Sequence, residues 1–132
     1  MKTQAWAGSA LARGFTLIEM IVAMAVVALL LSIATPRYFS SVDRSRETVL
    51  KQNLKVMRDV IDKFYVDQGR YPEALEELVA KKYLRVLPVD PMTGSEKTWV
   101  AVASSNPDIP GIADVKSGAE GASSEGEAFR DW

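Results

Sequence analysis

The sequence predicts an α+β fold: a long N-terminal helix, membrane-spanning in its first half, packed in its second half on a short helix and a small antiparallel sheet. Three observations lead there. Residues 15–34 are a nearly unbroken apolar run. Apolar residues then recur at helical spacing as far as Tyr65. Beyond Gly69 the chain is cut by prolines and glycines, and its best strand signal is Thr98–Ala103.

The chain has 132 residues and 48% hydrophobic content, which suits one domain. Much of the apolar material lies in residues 15–34, so the part after Pro36 forms a small domain with a modest core. There is no Cys and no His. That removes Cys-His nucleophiles, the usual zinc sites, Ser-His triads and any disulfide framework. The acids and bases that remain form no recognisable catalytic pair, and no phosphate-binding Gly-Lys loop occurs, so the chain is read as a non-enzyme. Net charge is −1. Lys2 and Arg13 stand without an acid in residues 1–14, and no basic patch of nucleic-acid type follows.

Taken in order, residues 1–14 are a short leader of polar and small residues. The apolar run comes next. At about 1.5 Å per residue it spans roughly 30 Å, the thickness of a bilayer core. The basic leader places the residues before the run in the cytoplasm and those after Thr35 outside. A cleaved secretory signal with Ser32-Ile33-Ala34 as a small-x-small site is one rival, and a plain single-pass anchor another. Glu19 opposes the first. The second leaves Glu19 and the residues before it without a reason.

Thr16-Leu17-Ile18-Glu19 matches a helix capping box, with Thr as N-cap and Glu three residues on. Yet the flanking residues draw this end towards hydrocarbon, where a carboxylate costs on the order of 2.5–3.5 kcal/mol. No Lys or Arg lies between Gly14 and Pro36 to offset it.

Pro36 removes a helical donor and disfavours helix in the residue before it. A kink or melted turn is expected around residues 32–36, with helix resuming at once. The later apolar positions Val49, Leu50, Leu54, Met57, Val60, Ile61, Phe64 and Tyr65 make the stripe of an amphipathic helix. Glu47–Lys51, Arg58–Asp62 and Asp59–Lys63 are opposite charges four apart on its wet face. Asp67-Gln68-Gly69 supplies the stop. A short helix is expected over Glu73–Tyr83, with Leu75, Leu78 and Val79 inward. A proline-broken stretch from Leu87 to Pro91 follows, then a turn at residues 92–95. Strands are expected at Thr98–Ala103 and Ile112–Val115. Residues 117–128 are small and acidic, and Phe129 and Trp132 return as anchors.

Gly14 before Phe15-Thr16-Leu17-Ile18-Glu19 and an apolar helix resembles the class III leader of type IV pilins and type II secretion pseudopilins. Gly69-Arg70-Tyr71-Pro72, Leu75, Leu78, Tyr83-Leu84 and Leu87-Pro88-Val89-Asp90-Pro91 are most similar to the globular domain of the major, G-type, pseudopilins. So is the ending from Ser117-Gly118-Ala119-Glu120-Gly121 to Asp131-Trp132. Departures are Glu120 where the family usually has aspartate and Met92 where it has an aromatic.

The resemblance implies three regions: a prepilin leader at residues 1–14, a transmembrane and assembly helix at 15–35, and a periplasmic domain at 36–132. It implies cleavage between Gly14 and Phe15 by a prepilin peptidase, and N-methylation of Phe15. Glu19 is then the residue that meets the terminal amine of a neighbouring subunit during assembly, and Pro36 the position near which the helix melts in filaments. Implied partners are further copies of the chain as a homopolymer, minor pseudopilins, the peptidase, an inner-membrane assembly platform driven by a separate ATPase, and membrane lipid before assembly, with no nucleic acid. The implied place is the bacterial inner membrane and, once assembled, a periplasmic filament that drives protein export. The resemblance also implies calcium in the C-terminal segment, with Glu120, Glu125, Glu127 and the carbonyl of Ser117 as ligands. The N-terminus does not separate this reading from a major or minor type IV pilus subunit serving adhesion, motility or DNA uptake. A lone membrane-anchored binding protein is the rival of another class.

Overall fold

The computed structural model describes residues 14–132. Residues 1–13, most of the expected leader, lie outside them. By contacts the chain divides into two compact units, one up to Tyr38 and one of Phe39–Trp132.

Helix α1 runs Leu17–Gln68. Its start is a capping box. The Glu19 N–H donates to Thr16 Oγ1 at 3.2 Å, and the Thr16 N–H reaches back to Glu19 Oε2 at 3.5 Å. The first half of α1 is long and apolar enough to cross a membrane, and none of that span is covered by protein. The melted turn expected at residues 32–36 does not form, because α1 stays α-helical through Pro36. Proline removes only one donor from the ladder. Beside it, the hydroxyls of Ser32 and Thr35 donate to the carbonyls of Ala28 at 2.8 Å and Leu31 at 2.7 Å, adding local bonds to this stretch.

In the second unit α1 turns Leu50, Leu54, Met57, Ile61 and Phe64 inward, all buried. Their spacing alternates four and three, so they form one face. Each such side chain is worth about 1.5–3 kcal/mol when taken from water. Val49, on the flank of this stripe, is about half exposed. Gly69 ends the helix at φ +69°, where its N–H still bonds Tyr65 O at 2.8 Å.

The second helix, α2, is Leu75–Ala80, shorter than the expected Glu73–Tyr83. Ala74 is extended, at φ −144° and ψ 157°. At the other end Lys82 takes φ +64°, and the N–H groups of Tyr83 and Leu84 fold back on Leu78 O at 2.8 and 3.0 Å. Both ends are set by turn geometry, not by helix propensity. Leu75 and Leu78 are buried as expected, and Tyr83 packs its ring on Phe64 at 5.1 Å.

The sheet has two antiparallel strands, β1 (Trp99–Ala103) and β2 (Ile112–Ser117). Trp99 pairs with Ser117 and Ala101 with Val115, with a register shift between Val102 and Ala103. β2 runs two residues past the expected Val115, because Lys116 and Ser117 still find partners on β1. Trp99, Val115, Ala119 and Phe129 close the core over α1 and α2. A 3₁₀ turn at Phe129–Asp131 seats Phe129 inside, and Trp132 meets it edge-on at 5.2 Å, so the two aromatics are anchors as expected.

Candidate functional site: the N-terminal segment and the C-terminal loop

Gly14, Phe15 and Thr16 precede α1 and are not helical. Phe15, Leu17 and Ile18 are each more than two-thirds exposed. The Gly14–Phe15 bond therefore lies in exposed, non-helical chain just before α1. Four residues on, Glu19 holds its own helix start through Thr16. The capping bonds account for part of its hydrogen-bonding capacity and provide no positive charge. Within residues 14–36 no Lys or Arg exists to supply one.

The structure does not bring the calcium candidates together. Among the described residues, no group of three or more acidic side chains could hold a metal ion. Glu120 shares a cleft with Ser117 and Arg130. Glu125 lies in a different cleft, with Arg44, Glu47 and Lys51. Glu127 accepts a hydrogen bond from the Trp132 indole at 3.2 Å. The Ser117 side chain is turned inward and donates to Asp90 Oδ2 at 2.5 Å. The three glutamates thus have different neighbours and do not converge on one point.

What the sequence left unseen is a set of ties between distant segments. Arg58 does not pair with Asp62. Its Nε donates to Asp114 Oδ1 at 2.7 Å, and its Nη2 to the main-chain oxygens of Val115 and Trp132 at 3.0 and 2.8 Å. Glu47 accepts from Ser124, and the Lys51 ammonium sits over the Trp132 ring at 4.5 Å instead of forming the expected pair with Glu47. Asp90, in the proline-broken stretch, is fully buried. Its Oδ1 also accepts the Met92 N–H at 2.8 Å, and its main chain bonds Ser95 and Gly94. Its position between Pro88 and Pro91, before a Thr-Gly turn, was the available signal. Arg70 and Glu77 form a close pair, 2.5 Å from Nη2 to Oε1. The Arg70 hydrogen bond, and then the Glu73 N–H, hold the Glu77 carboxyl below its ordinary range, while the same bond raises Arg70.

A family model described as the prokaryotic N-terminal methylation motif matches residues 10–35. The chain is 29% identical over 136 residues to type II secretion system core protein G of Pseudomonas aeruginosa, across 90% of this chain and 94% of that protein. It is 26% identical over 98 residues to core protein G of Klebsiella michiganensis, across 62% and 69% of the two chains. It is 33% identical over 66 residues to the type IV major pilin protein PilA of Myxococcus xanthus, across 50% of this chain and 30% of that one. No solved structure matches. The chain is thus similar to pilins and pseudopilins, in the methylation motif over its capped, apolar helix start and, to core protein G, along 90% of its length.

Proposed function

We propose that the chain is a structural subunit of the pseudopilus of a type II secretion system. The similarity to core protein G carries this reading, since it runs through the globular domain as well as the helix. The likeness to a type IV major pilin covers half the chain and favours the pilus alternative less. The chain does no chemistry itself. It is made with a leader at residues 1–14, cut after Gly14, and methylated on Phe15. Residues 15–35 hold it in the bacterial inner membrane, with residues 36–132 in the periplasm.

Glu19 is the assembly residue. In the bilayer its charge is costly, and a methylated amine on Phe15 of another copy offsets it. Two charges in low dielectric attract strongly, so the correct register is favoured over a one-turn slip. Pro36 is the position where the helix opens on assembly. The subunit keeps that turn helical, and only one ladder bond is missing there. Assembly draws on further copies, minor pseudopilins, a prepilin peptidase and a membrane platform.

Mass spectrometry of the chain from its own host tests the processing step. The reading expects a mature chain beginning at N-methylated Phe15. An intact Met1 terminus in cells with an active prepilin peptidase contradicts it, and Gly14→Leu is expected to block the cut.

A further inference from the structure

The acidic loop after β2 has little apolar side chain of its own, yet it follows one defined path, and the groups that hold it are protein groups. We propose that a carboxylate clasp between Glu47 on α1 and Ser124 holds this loop in place of a metal ion. Glu47 Oε1 accepts the Ser124 N–H at 2.7 Å, and Oε2 accepts the Ser124 hydroxyl at 2.9 Å. Both bonds are charge-assisted and bidentate, the strong form of such contacts. They join positions 77 residues apart.

Inside the loop the polar main chain is satisfied locally. Ser123 Oγ accepts from the N–H groups of Glu125 at 3.2 Å and Glu127 at 3.3 Å. Ser123 donates its N–H to Glu127 O at 2.7 Å, and its carbonyl accepts from Gly126 at 3.0 Å. At the loop's base Ala122 bridges Ala128, and the Phe129 N–H bonds Gly121 O at 3.2 Å. Buried Ala119 and Phe129 fix the two ends. The main chain of the segment thus has protein partners at each of these points.

The charges agree. The cleft that contains Glu47, Ser124 and Glu125 also contains Arg44 and Lys51. Two carboxylates and two cations line this one cleft, so a dication there would meet positive side chains as well. A hard cation needs about six to eight oxygen ligands, and the candidate glutamates stand in separate clefts. The clasp lies within one subunit and does not depend on polymerisation.

Two measurements on the full detergent-solubilised chain test it. The first is thermal unfolding in chelator and in millimolar calcium. A ligand that binds only the folded state raises Tm. Unchanged Tm is expected, and a rise with calcium overturns the proposal. The second is limited proteolysis of Glu47→Ala, with the cuts mapped by mass. Alanine keeps the helix, and Glu47 is only half-buried, so the fold is retained. Several-fold faster cutting within residues 120–128 is expected, with no rescue by calcium and no change elsewhere. A loop as resistant as in the parent, or one restored by calcium, overturns it.

Discussion

Arg58 and Asp114 lie 56 residues apart in sequence and meet at 2.7 Å, Nε to Oδ1. The same guanidinium reaches the main-chain oxygens of Val115 and Trp132, so one side chain of α1 holds both β2 and the C-terminal turn. Both partners are about two-fifths exposed, which weakens the ion pair itself. The two main-chain bonds remain when the acid is removed. Arg58→Ala is therefore expected to cost about 1–3 kcal/mol and Asp114→Asn clearly less. Thermal unfolding of both variants decides. Equal losses would put the whole effect in the ion pair. Asp62→Ala, at the position that helical spacing suggested as partner, is expected to stay within about 0.5 kcal/mol of the parent.

Asp90 and Ser117 form a buried pair between the proline-rich stretch and the end of β2. Ser117→Ala leaves a carboxylate oxygen short of a donor, at a cost of roughly 1–3 kcal/mol. Asp90→Ala frees the Met92 N–H as well and is expected to cost more. A double-mutant cycle tests the pairing. Coupled residues give a double variant that loses less than the two single losses combined, and strict additivity would contradict the contact.

The Arg70–Glu77 pair sets a pH dependence. Glu77 is held below its ordinary range by the Arg70 hydrogen bond and then by the Glu73 N–H. A carboxyl lowered in the folded state stabilises in full above its unfolded value and loses that stabilisation as pH falls through the folded one. Arg70 is raised and stays charged throughout. Tm followed into the acid range is expected to fall less steeply for Glu77→Gln than for the parent. The same acid slope in both proteins would rule the pair out as its source.

The long helix, its buried stripe and its stop at Gly69 were legible because periodicity and punctuation are local. Leu50, Leu54, Met57, Ile61 and Phe64 announce one face whatever packs on it. Both strands were legible too, though β2 ran on to Ser117 because pairing with β1, a non-local event, decides its end. Arg58 was misread for the same reason. Asp62 stands one turn away in sequence, while Asp114 comes close only after the sheet folds. Spacing could place Glu120, Glu125 and Glu127 in one segment but could not show that the loop sends them to different neighbours. The capping box at Thr16 and Glu19 was readable in full, since its four-residue span contains both partners. At Pro36 the helix runs on, since proline removes a single donor.

Glu19 is expected to matter for assembly more than for folding. Its carboxylate has a cap on its own chain but no cation on residues 14–36. Glu19→Ala should still lose its leader and enter the membrane, and its globular part should unfold at the parent's temperature. The loss should appear in filaments, counted by electron microscopy after shearing. Filaments in parental number would contradict pairing between subunits.

Export from host cells that lack this gene separates a pseudopilus subunit from a pilus subunit. Fractionation should find folded export substrates retained in the periplasm, with surface pili unchanged and export restored by the intact gene but not by the Glu19→Ala form. Normal export in the deletion strain, with pili lost instead, would contradict the secretion reading and assign the chain to a pilus.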